Sequence, residues 1–265
     1  NVGGISITAT YSGTISQGAQ EVLVGLDDFT QAGGTYTCGA GELKVSAFRL
    51  DGGTFTAPST TLEVGRGRGS DYELVRVDPV AATFNHNSGL VSLRVVYGNS
   101  SSSSETFDIN TSSGAWTVHD LKYGGGDNHS KYNATIYRLG ASDTIVVENE
   151  LTMSPRTDTA PRSRLNVNGG RHRLEGNLTL GNEHTPAADS RAGLQYGTTI
   201  VEFMAAGDQT ITAHPTHSRG PVVEINKNTG KVSTATGFDD VAIGGLILTK
   251  GTDRKSTRLN SSHYS

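Results

Sequence analysis

The chain has 265 residues, enough for one or two domains, with 34% hydrophobic and 18% charged side chains and 34 glycines. A net charge of −4 gives no basic face for a nucleic-acid partner, and no run of 18 apolar residues forms a membrane-spanning helix. The single cysteine, Cys38, excludes an internal disulfide framework.

No stretch places apolar residues at i, i+3, i+4 and i+7 over three turns. Thr, Val and Ile recur instead between Gly-, Asn- and Ser-rich punctuation, so the chain reads as all-β. The chain starts at Asn1 with no charged-then-apolar leader before the first strand; the sequence reading is that a leader has been removed or the true start lies upstream.

The first elements form a repeat. GTISQGAQEVLV (Gly13 to Val24), GTYTCGAGELKV (Gly34 to Val45) and GTFTAPSTTLEV (Gly53 to Val64) align without gaps, spaced 21 and then 19 residues apart. FTQAGGT from Phe29 extends the match backwards onto FRLDGGT from Phe48. Ile15, Tyr36 and Phe55 are each flanked by Thr or Ser, and alternation along a strand turns the large residue inward and the hydroxyls outward. Val22/Val24, Leu43/Val45 and Leu62/Val64 repeat that period, leaving Leu23, Lys44 and Glu63 outside. Gly13, Gly34 and Gly53 mark corners needing positive φ or close backbone approach. Each unit therefore reads as two short strands joined by a corner.

A unit of about 20 residues cannot bury its own apolar face, so neighbours must stack. In a parallel solenoid, coils ~4.8 Å apart would build an Ile15-Tyr36-Phe55 ladder and a Val24-Val45-Val64 ladder, with Lys44 over Glu63. An antiparallel meander or sandwich is the rival, and would show hairpin turns every 8–12 residues or so. The gap-free alignment favours the solenoid.

Beyond Val64 the period loosens. GRGRG (Gly65 to Gly69) reads as a connector, with an anion nest as its functional alternative. FDINTSSGAWT (Phe107 to Thr117) matches VEINKNTGKVS (Val223 to Ser233), which makes Asp108 equivalent to Glu224 and Trp116 to Val232. ENELTMS from Glu148 and GGLILTK from Gly244 continue the two copies. Polar stretches at 99–105, 124–130, 157–164 and 183–191 read as insertions between coils, the places where binding is expected.

Few residues suggest chemistry. His214 and His217 lack a helical spacing and a nearby carboxylate, so no metal is expected there. The seven histidines before the terminal segment sit in polar stretches and are expected at the surface. Gly124-Gly125-Gly126-Asp127-Asn128 and Asp239-Asp240 could contact calcium, but the glycine–aspartate pattern occurs once and imperfectly. Asp108, Glu224 and Glu202 are the candidate paired carboxylates of a polysaccharide-cleaving site, read more simply as outward polar positions. Trp116 and Tyr123 could line a sugar platform, though Trp116 reads as core. Asn99, Asn110, Asn128, Asn133 and Asn177 open glycosylation-type triplets that Ser- and Thr-rich sequence produces by chance.

Two resemblances complete the reading. GGTFTAPSTTLEV, EGNLTL, VEFMAAGDQTIT, VEINKNTGKVS and GGLILTKGT are similar to units of bacterial extracellular parallel β-helix proteins, which include repetitive adhesins and autotransporter passenger regions. That implies a right-handed parallel β-helix with loop insertions and an extracellular or cell-surface location. The implied role is structural or adhesive and non-catalytic, with no cofactor, directed at surface glycans or host cell-surface ligands. The alternative is a β-helix lyase or glycoside hydrolase, or a carbohydrate-binding module. The segment Asp253 to His263 resembles the translation of a sequencing-library adapter; a basic tail is the other reading. The expected domain is thus one elongated solenoid over 1–252, with 253–265 non-native. Residues 1–252 carry 19 basic and 25 acidic side chains, a net of −6.

Overall fold

The computed structural model describes residues 2–25, 27–66, 72–96, 105–124, 134–154, 164–181, 193–194, 197–213, 220–235 and 243–250. The terminal segment 253–265 lies outside them. The described residues form strands and no helix, so no helix is long and apolar enough to cross a membrane.

The strands build a 10-stranded and a 13-stranded sheet. Every strand pair described between Ile5 and Lys250 is parallel, which removes the hairpin-built meander. Parallel neighbours need a long return connection. Here the chain runs in passes that visit both sheets as far as Gly193–Leu194, while from Ile200 to Lys250 the described strands all lie in the 13-stranded one. Most strands pair with one counterpart earlier and one later in the chain.

The first ladder falls where the repeat predicts it. Ile15 pairs with Tyr36, Tyr36 with Phe55, and Phe55 with Phe84. The rings of Tyr36 and Phe55, and of Phe55 and Phe84, stack at 5.8 and 5.7 Å. Val45 pairs with Val64, and Leu43 with Val22 and Leu62. Lys44 lies opposite Glu63 as expected, but its ammonium turns to Glu21 and Glu42, at 3.0 and 2.6 Å.

Each pass holds more than two strands. The backward match is itself a ladder: Ile5 pairs with Phe29, Phe29 with Phe48, and Phe48 with Val75. The strands Phe29–Cys38 and Phe48–Thr56 therefore bend through two segments before Leu43–Val45 and Thr61–Arg66 supply a third. Gly34 and Gly53 take positive φ at the bend, 60° and 78°. A Cβ on Gly53 would lie 2.4 Å from the Gly34 carbonyl oxygen, so the corners stack too closely for any side chain. Gly13 has no positive φ, and a Cβ there would meet only the exposed, movable Tyr11 side chain, so the expected corner requirement does not hold at Gly13.

The later passes keep this plan at greater length. Trp116 pairs with Ile145, then His172, Val201, Val223 and Leu246 follow in one line. Phe84 meets Trp116 edge-on at 5.4 Å, joining that line to the aromatic ladder although the two belong to different sheets. The sheets face one another across the core: Tyr137, on the first, places its hydroxyl 2.8 Å from the carbonyl oxygens of Leu93 and Gly124, on the second.

The 107–117 and 223–233 alignment is corrected by this register. Phe107 to Asn110 belong to the 10-stranded sheet and Val223 to Asn226 to the other, so Asp108 and Glu224 are not equivalent. Trp116 shares its line with Val223, not Val232. The alignment matched two consecutive corners of a pass, which use the same Asn/Ser/Gly turn chemistry, instead of one corner in two passes.

Candidate functional site

The outer face of the 13-stranded sheet brings two candidate carboxylates together. Glu202 and Glu224 pair in register on neighbouring passes, and both side chains are nearly buried. Arg171, one pass earlier, contacts Glu202 at 3.2 Å and Glu224 at 2.5 Å through the same nitrogen. Arg173 approaches Glu202 at 3.5 Å, and Asn226 donates to it at 2.6 Å. The Thr249 hydroxyl, together with the Arg171 guanidinium, holds Glu224 below the ordinary carboxylate range. A general acid for glycoside cleavage needs the opposite displacement. The arrangement acts as an ion-pair staple across adjacent passes. Asp108 lies elsewhere, in a two-point ion pair with Arg138 at 2.6 and 2.8 Å.

Trp116 and Tyr123 are fully buried and offer no sugar platform. Cys38 is buried, and desolvation pushes its thiol up to about 12, so it is no nucleophile. His172 overturns the expectation of surface histidines: it occupies the apolar line between Ile145 and Val201 and is completely buried. Its Nε2 lies 2.7 Å from the Tyr123 hydroxyl and its Nδ1 3.0 Å from the Thr199 hydroxyl. A neutral ring has one donor and one acceptor nitrogen, and the two hydroxyls can satisfy both. Burial pushes the imidazole down to about 3 and the Tyr123 phenol well above its usual value. A period-two reading of His172, Leu174, Leu178 and Leu180 contained this signal.

A second group was not visible in the sequence. His86, His119 and Glu148 come from three successive passes, and their ligand atoms all lie within 4.8 Å of one another. His86 Nε2 is 3.1 Å and His119 Nδ1 3.8 Å from the same Glu148 oxygen. The two rings lie nearly parallel with centroids 5.6 Å apart. Two local features aim these side chains. After His86, Asn87 and Ser88 both take left-handed backbone, with φ 51° and 56°, and the Ser88 N–H donates to His86 Nδ1 at 3.0 Å. Opposite His119 the register slips, Val118 facing Val147 while Asp120 faces Glu150, so Glu148 and Asn149 both turn outward. Such a bulge re-aims a side chain. Gaps of 33 and 29 residues separate the three ligands, so no local motif betrays them; only the pass register does.

His214, His217, Gly125 to Asn128 and Asp239-Asp240 lie outside the described residues, as do Gly67 to Gly69. No protein-family model matches the sequence, and no curated protein or solved structure is similar to it.

Proposed function

We propose that residues 1–252 form one right-handed parallel β-helix, serving as a structural or adhesive segment of a secreted or surface-displayed protein. One observation carries this reading. The long connections all interrupt the pass at the same place, after Gly124, Ser154, Leu180 and Ala213 on the third segment and before the next strand begins. A scaffold that keeps its register while varying one connection suits display of binding loops along one edge. The outward positions of the early passes, such as Thr35, Thr37, Thr54 and Thr56, are small and polar. The expected ligands are surface glycans or host cell-surface molecules, and no cofactor is needed.

The test is binding of the full chain to glycan arrays and cell surfaces. Replacing 182–192 and 155–163 by short Gly/Ser connections should weaken binding at least tenfold while circular dichroism stays unchanged. Binding that survives shortening of every long connection would move the ligand site onto the sheets. Release of reducing or unsaturated sugars from polysaccharides would replace the adhesive reading with the enzymatic one.

A further inference from the structure

We propose that His86, His119 and Glu148 bind one divalent transition-metal ion of the zinc class, clamping three successive passes at their shared corner. The donor set argues for this class. Two imidazole nitrogens and one carboxylate oxygen suit zinc and its borderline neighbours, whereas calcium and magnesium take oxygen ligands. The geometry also fits. Tetrahedral ligands on bonds of ~2.1 Å stand roughly 3.4 Å apart. The two imidazole nitrogens stand 3.1 and 3.8 Å from the Glu148 oxygen. Closing the remaining separation, at most 4.8 Å, needs rotation of three partly exposed side chains.

Loading requires one change of proton position. The Ser88 N–H donates to His86 Nδ1, so the neutral metal-free ring carries its proton on Nε2, directed at Glu148. Binding metal through Nε2 moves that proton to Nδ1, where it would face the Ser88 N–H donor 3.0 Å away, so loading breaks that hydrogen bond and turns the ring away from Ser88. Ser88 is exposed, so water takes up its N–H. No net proton need leave the ring. Three protein ligands leave a fourth position to water, the arrangement of open zinc sites.

The site joins strands that meet at a register slip, where the ladder between Val118 and Asp120 is locally broken. A metal there would replace, as a cross-link, the hydrogen bonding that the bulge removes. It would stabilise the folded chain by mass action, because the ligands converge only when the passes stack.

The experiment titrates zinc alone into the metal-free full chain by calorimetry and follows the melting temperature with and without zinc. One ion per chain is expected, with a rise in melting temperature. His119→Ala and Glu148→Ala should each weaken binding at least tenfold, and His86→Ala/His119→Ala should abolish the zinc-dependent rise. His119→Gln, which keeps polarity and approximate size, provides a second variant should His119→Ala fold poorly, and it should weaken binding equally. Cobalt in place of zinc should give the visible spectrum of a four-coordinate nitrogen-containing site. Absence of zinc binding by the wild-type chain overturns the proposal. So does undiminished binding by His86→Ala/His119→Ala, which would place the ion on other histidines, and so does a preference for calcium over zinc.

Discussion

The passes before Val64 and those after Gly140 reach the same parallel register by different means. The early passes are short and filled with rings: Phe29, Tyr36, Phe48 and Phe55 contact one another at 4.8 to 5.8 Å. They bury one long polar side chain, Gln31, which donates to the Gly33, Gly34 and Thr54 carbonyls, whereas the later passes carry more polar groups inward. Besides His172, Gln209 donates to the carbonyls of Leu174 and Gly176, and buried Lys227 donates to Ala205, Gly207 and the Gln209 side chain at 2.5, 2.7 and 2.6 Å. Burial pulls the Lys227 ammonium below its usual range, yet its three donors have three acceptors. Apolar stacking tolerates no missing volume, whereas an interior polar group tolerates no missing partner. The two halves should therefore fail differently.

The largest effect is expected in the ring-filled half. Phe55→Ala removes a fully buried ring touching four aromatic neighbours and should cost about 3–5 kcal/mol in urea denaturation. A loss below about 1 kcal/mol would show that the ladder relaxes freely and would erase the contrast. In the later half the sharpest steric test is Gly176→Ala. Its Cβ would stand 1.5 Å from the Asn149 carbonyl oxygen, directly over the bulge. Backbone must move, so about 3 kcal/mol of stability should be lost, read as a shift of the urea midpoint.

The polar interior should also give the later half an acid sensitivity. The His172 pKa falls from 6.5 in the unfolded chain to about 3 in the folded one. Between those values the unfolded state binds a proton that the folded state does not, so stability falls as pH drops through that window. His172→Leu should flatten that part of the pH–stability curve relative to wild type. Parallel curves for the two proteins would remove the neutral buried imidazole from the account. Lys227→Met leaves the Ala205 and Gly207 carbonyls and the Gln209 oxygen without their donor, and should cost about 1–3 kcal/mol by thermal melting. The smallest change belongs to the early surface: Lys44→Ala loses its partly exposed contacts with Glu21 and Glu42 and should cost about 0.2–1 kcal/mol, less at high salt.

The early half is also the one its residues disclose. Ile15, Tyr36 and Phe55 recur at nearly constant spacing, and the ladder follows from that spacing alone. Later partners stand 22 to 33 residues apart, as for Ile200 and Val222 or Leu178 and Ile211, with the spacing changing from one pass to the next. A gap-free comparison cannot follow that. It matched Trp116 to Val232 because neighbouring corners share turn residues, and so misplaced Asp108. His172 was hidden by chemistry: histidine among Arg, Asn and Glu looks solvated until its two-residue period with Leu174 is noticed. Glu202 was legible as an acid close to Glu224 but not as its register partner. His86, His119 and Glu148 belong to one cluster only through the stacking of passes, which no short window contains.

The chain's only tryptophan lies at the seam between these halves, with Phe84 edge-on at 5.4 Å before it and Ile145 paired after it. Its indole is 1% exposed, and its ring nitrogen has no hydrogen-bond partner among the described residues. Trp116 is consequently a built-in optical probe of the junction: its emission should be blue-shifted in the folded chain and move to longer wavelength when water reaches the seam. Denaturation followed at this one fluorophore reports when the middle opens, while circular dichroism sums over every strand. Coincident transitions would mean that the ring-filled and polar halves melt as one cooperative unit, and separated ones that either end can fray while the seam holds.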